Sequence, residues 1–113
     1  MMQGDPFSEK QPLNVIVLEA GLESQLGSAL VQTPLGVELK LAPQLQQLFL
    51  DQLEQAVQYC WQEGYHRTAL LVDGRIRRHL HRLIEKRFPR VPVISYTEVG
   101  PDFQLNVLQT IAI

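Results

Sequence analysis

The spacing of apolar residues alternates between a period of two and one of about three and a half, and each change marks an element. Asn14 to Leu18 (NVIVL) is a short β-branched run that predicts a strand buried on both faces. Leu22, Leu26, Ala29 and Leu30 follow at helical spacing and predict a helix over 20–31, weakened by Gly21 and Gly27. Thr33-Pro34-Leu35-Gly36 reads as a turn, and Val37 to Leu41 alternates apolar with charged, as a strand with one wet face does. Pro43 opens the longest helical pattern, since proline suits a first helical position whose N–H has no partner anyway. Leu45, Leu48, Phe49, Leu53, Ala56, Val57, Cys60 and Trp61 form its stripe, and Gly64 is its natural stop. Leu48, Phe49 and Leu53 are expected to be buried against the sheet.

Thr68 to Val72 predicts a second buried strand with Leu70 and Leu71 at its centre, followed by an Asp73-Gly74 turn. An amphipathic helix then runs from about Arg75 to Phe88, with Ile76, Leu80, Leu83, Ile84 and Phe88 on one face and Pro89 ending it. Val91 to Tyr96 holds a third buried strand, Gly100-Pro101-Asp102 a turn, and Phe103 to Leu108 a last strand. The order β-α-β-α-β-α-β-β predicts the α/β class: a small layered domain with a mixed four- to five-stranded sheet and about three helices. Strand 68–72, helix 75–88 and strand 92–96 form one right-handed βαβ unit. The last strand follows only a short turn, so it is expected to pair antiparallel at an edge. Residues 1–12 read as a polar tail or linker and 13–113 as one α/β domain.

A chain of 113 residues is one domain's worth. Its 45% apolar and 19% charged residues exclude a disordered charged tail. One cysteine excludes an internal disulfide framework. No apolar run approaches the roughly 18–20 residues that span a bilayer, and residues 1–12 lack the apolar core of a secretory signal. The net charge of −2 argues against a polyanion-coating protein, but the distribution is uneven. Residues 65–90 carry eight of the ten bases (Arg67, Arg75, Arg77, Arg78, Arg82, Lys86, Arg87 and Arg90) against Asp73 and Glu85.

His79 and His81 lie two apart, so on a helix they point about 200° away from each other and cannot share a metal. They read as surface imidazoles, and Cys60 as a core thiol. Asp73 closes a buried strand, where carboxylates hold metal or phosphate in many α/β enzymes, but no phosphate loop or nucleophile motif accompanies it. Neither a catalytic residue, a metal nor a cofactor is expected. The basic helix is the candidate site. Arg75, Arg78, Arg82 and Lys86 fall near one another, with Arg77 on the other flank, either as a solvated face or as a partner-docking surface. The alternative is a nucleotide- or nucleic-acid-binding domain using the basic helix 75–90, although aromatic stacking residues are too few to support it.

Within residues 69–99 stand Ile76-Arg77-Arg78, Leu80, Arg82-Leu83-Ile84-Glu85, Phe88-Pro89 and Val93-Ile94-Ser95-Tyr96 with Glu98-Val99. With these residues the segment resembles the C-terminal part of the FlhA/InvA/LcrD family, the inner-membrane export-apparatus proteins of type III secretion and flagellar assembly. Leu18, Leu22-Glu23, Leu26 and the long helix extend the resemblance over about residues 13–111. Glu19-Ala20 stands where the family commonly has Asp-Pro, a departure that touches only a helix cap. The resemblance implies the last cytoplasmic subdomain of a longer protein whose transmembrane half and earlier subdomains lie outside this sequence. It implies a non-enzymatic scaffold in a nonameric ring at the cytoplasmic face of the bacterial inner membrane. The partners it implies are other subdomains and subunits of the ring, apparatus components and secretion chaperone–substrate complexes. No nucleic acid is expected, and the membrane is reached only through the absent transmembrane region.

Overall fold

The computed structural model describes residues 12–100 and 104–113. The tail reading of residues 1–11, the turn at Pro101-Asp102 and the strand start at Phe103 lie outside the described residues. The order is β1 (Leu13–Leu18), α1 (Ala20–Ser28), β2 (Leu30–Thr33), β3 (Gly36–Leu39), α2 (Pro43–Gln62), β4 (Ala69–Val72), α3 (Gly74–Ile84), β5 (Val93–Ser95), α4 (Tyr96–Val99) and β6 (Leu105–Ile111). Four strands form one parallel sheet in the order β5-β4-β1-β6, and β2 and β3 form a separate antiparallel hairpin. The α/β class is as expected, with both parallel and antiparallel pairing, but the two kinds are segregated into two sheets.

Alternation along the strands gives each face of the parallel sheet its own cluster. Ile16, Leu18, Leu70, Val72, Val93 and Ile111 meet α1, α2 and α3 on one face. Val15, Ala69 and Leu71 meet Val99 of α4 on the other. This follows from topology. The steps β1 to β4 and β4 to β5 run in one direction, so right-handed crossovers place α2 and α3 on the same side. The return from β5 to β6 crosses the opposite side, and for that reason β6 pairs parallel with β1 (Leu13 opposite Leu105, Leu18 opposite Ile111), not antiparallel as expected.

Boundaries of other elements also differ from the sequence reading, the last strand's among them, which runs to Ile111 beyond the expected Leu108. α1 ends at Ser28, because Leu30 and Val31 pair with Leu39 and Glu38 in the hairpin. α3 stops at Ile84, and the chain turns so that Phe88, just before Pro89, tucks its ring into the core. Tyr96 to Val99 is a short helix in place of a strand end. Within α2, Phe49 and Leu53 are fully buried, but Leu48 is 43% exposed because it sits one step round the helix from the sheet. α2 ends as expected at Gly64, whose φ of +91° is costly for any residue with a Cβ. The Tyr65 N–H donates to the Cys60 carbonyl (2.8 Å) and the Gly64 N–H to Trp61 (3.0 Å), so the last turn is closed by a Schellman motif.

Candidate docking surface

α3 projects from the C-terminal end of β4 and is held at both sides. Asp73 is its N-cap, its Oδ1 accepting from the Arg75 N–H at 2.8 Å. The Asp73 N–H donates to Glu23 Oε2 of α1, also at 2.8 Å. The carboxylate singled out as possible chemistry is therefore occupied in starting the helix. α1 is capped in the same way by Glu19, which accepts from the N–H groups of Gly21 (2.7 Å) and Leu22 (3.2 Å). The longer acid does the work of a shorter cap, so the family departure at this position costs no cap.

The five cations of the candidate surface separate. Arg75 Nε lies 3.5 Å from Asp73 Oδ1, and its guanidinium passes so close to Gly27 of α1 that a Cβ there would sit 3.0 Å from it. Arg77 points to the other flank, 3.5 Å from Glu98 Oε1. Arg78, Arg82 and Lys86 are exposed and have no ion-pair partner among the described residues. Lys86 lies in the turn beyond α3, not on the helix. Nearby Arg87 is already neutralised, bridging Glu54 and Asp51 of α2 and lying 5.4 Å over the Phe88 ring. The cationic run in the sequence thus resolves into paired arginines that staple elements together and an unpaired group on one side of α3.

Glu98 shows how tightly the paired flank is built. Its carboxylate accepts from the Ser95 N–H (2.8 Å) and hydroxyl (3.1 Å), and these bonds, with Arg77 beside it, hold its pKa below the usual glutamate range. On the open flank, burial and the charges of Arg78 and Arg82 lower the pKa of His79, favouring the neutral imidazole. His81 instead meets Glu85 at 3.3 Å. Among the described residues no group of three or more His, Cys, Asp or Glu is placed to hold a metal. Cys60 is buried, which raises its pKa, and a hydrogen bond with Thr68 partly opposes that rise.

Two concavities were not foreseen. One, of about 270 Å3, lies where Trp61 and His66, edge to face at 5.1 Å, meet Phe88 and Val91. Trp61, placed on the α2 stripe by spacing, is 41% exposed and forms its wall. The other, of about 460 Å3, lies between the β2–β3 hairpin and α3 and includes Arg82. Leu35, an apolar residue in a turn, was its one sequence signal.

Among the described residues no helix is long and apolar enough to cross a membrane. The chain is 30% identical over 99 residues to protein MxiA of Shigella flexneri, a match covering 88% of this chain and 14% of that protein. The chain thus spans about a seventh of the curated relative's length. The structure is similar to nonameric EPEC SctV-C (TM-score 0.78, 30% identity, 89% of this chain and 29% of that one). It is similar to CdsV of Chlamydia pneumoniae in a complex with CdsO (TM-score 0.75, 29% identity, 93% and 31%). It also matches the nonameric EscV cytosolic domain from the type III secretion system (TM-score 0.67, 30% identity, 89% and 29%). Residues 3–104, nearly the whole chain, match the FHIPEP family, and the chain belongs to that family.

Proposed function

We propose that this chain is the last cytoplasmic subdomain of a longer export-gate protein in a type III secretion or flagellar apparatus. It acts as a non-enzymatic scaffold and docking domain within a cytoplasmic ring at the bacterial inner membrane. The observation that carries this reading is the likeness, at 30% identity, to part of a nonameric assembly. Its partners are neighbouring subdomains, adjacent subunits and apparatus components, the last by extension from the relative solved with CdsO. Of the five candidate cations, Arg78, Arg82 and Lys86 form the docking side and meet the partner, while Arg75 and Arg77 fix α3.

An antibody raised against this chain tests the first half of the reading. In the native bacterium it should detect an inner-membrane polypeptide about six times as long as this chain, as the share of the relative predicts. A free soluble product of this chain's own size overturns it. Reversing Arg78, Arg82 and Lys86 to Glu in that longer protein tests the second half. Secretion should fall while protein abundance stays normal, and unchanged secretion reduces the cationic side to a solvated face.

A further inference from the structure

The β2–β3 hairpin carries apolar side chains into water. Leu35 at its tip is 92% exposed, and Val31 and Val37 are also exposed. Facing it across the groove, α3 presents Leu83, with Arg82 and His79 along the same wall. The one carboxylate in the lining, Glu38, accepts from Thr33 Oγ1 at 3.0 Å and so is tied into the hairpin. Arg82, and Arg78 one turn before it, have no carboxylate partner among the described residues.

We propose that this groove docks an amphipathic helix of a partner protein, one with leucine-type side chains on one face and glutamate or aspartate beside them. The apolar groups rest against Leu35, Val37 and Leu83, and the carboxylates reach Arg82 and Arg78. Two walls, a hairpin and a helix, leave an open slot of the kind that receives a helical ridge. An arginine fork takes a carboxylate through two parallel hydrogen bonds, which fixes register as well as adding attraction. His79, held toward its neutral form, adds little positive charge of its own and leaves the recognition to the arginines. A phosphate chain has no use for the exposed Leu35 and Val37, and the cavity at Trp61, whose Arg87 is already paired, keeps one arginine unpaired among the described residues, Arg90, against the two beside this groove. This proposal deepens the docking reading of α3. Its test uses this chain alone, so it stands or fails apart from the ring assignment.

The probes are two synthetic helical peptides of about 18 residues, five turns, with the same leucine pattern. One carries glutamates beside the leucines and the other lysines; a single-stranded oligonucleotide is the third probe. Titration into the isotopically labelled chain, followed by amide chemical shifts, should move the hairpin and α3 with the glutamate peptide. That peptide should bind roughly tenfold or more tightly than the lysine peptide and weaken as salt is added. Arg82→Glu should reverse the preference between the two peptides. Leu35→Ser with Val37→Ser, both at exposed positions, should keep the melting temperature and weaken binding by roughly tenfold. On saturation the His79 imidazole should titrate at higher pH, because a docked carboxylate offsets the two arginines. Equal binding of the two peptides overturns the proposal, as does an Arg82→Glu variant that keeps the parent preference. So does the absence of saturable shifts in the hairpin and α3, tighter oligonucleotide binding there, or shifts confined to the Trp61 cavity. Shifts that depend on the chain's own concentration without peptide also overturn it, assigning the groove to a second copy.

Discussion

Ile76, Leu80 and Ile84 have no exposed surface, whereas Arg78 and Arg82 on the same helix stand in water with no carboxylate beside them among the described residues. The inner side is fixed by close packing, where the loss of one side chain leaves a cavity. The outer side contributes little to folding, since an exposed charge in water is worth about 0–1 kcal/mol. One element therefore carries two separable duties, and substitutions should separate them.

The widest gap is expected at the core. Phe49→Ala, in the same core cluster as the inner side of α3, should cost about 3–5 kcal/mol, and Leu80→Ala about 2–5 kcal/mol. Either is a large share of a domain stability of about 5–15 kcal/mol and should show as a marked drop in urea midpoint. An unchanged midpoint would erase the inner–outer distinction. Asp73→Ala should be intermediate, costing about 0.5–2 kcal/mol by removing the α3 cap, with thermal unfolding as the measure. Asp73→Asn should recover most of it, because the amide oxygen still accepts. On the outer side, Arg82→Glu should move the urea midpoint by less than about 1 kcal/mol in equivalent stability while changing partner binding. The smallest effect is a pH slope. Glu98 gives up its proton more readily folded than unfolded, so the unfolded chain takes up the proton first as pH falls. Its contribution is present above the ordinary glutamate pKa and is lost as pH drops through the lower folded value. Glu98→Gln should flatten that part of the acid limb in a stability-versus-pH series.

The inner side of α3 was legible because its cause is local: Ile76, Leu80 and Ile84 repeat at helical spacing and need only one surface to face. The four strands that build the parallel sheet were legible for the same reason. Leu48 and Trp61 misled because spacing gives a stripe without its width, and the sheet reaches only part of the α2 stripe. α4 carried its own signal in Ser95 and Glu98, three apart as in a capping box, but the aromatic and β-branched residues around them resemble a strand. The cationic cluster could be read from charge counting. Which arginines are spent could not, because Glu98 and the acids of α2 reach them only through the fold. The groove was hidden for a related reason: its two walls, residues 35–41 and 79–83, are far apart in sequence.

β1 and β6 are the first and last strands of the described chain, and they lie side by side, with Asn106 donating to Asn14 at 3.0 Å across 92 positions. During synthesis, β1 leaves the ribosome before either of its two partners in this sheet, β4 and β6, has been made. It can pair with β4 once that strand emerges, but its other edge, a row of unpaired N–H and C=O groups open to unrelated strands, waits until β6 has been made. Pairing over such a sequence distance is slow, because the whole intervening loop must be closed before the contact pays anything back. Nascent chains halted before residue 105 should therefore be the species most exposed to misassociation, and a chaperone holding β1 would act in that interval. A truncation that removes β6 would make this transient condition permanent.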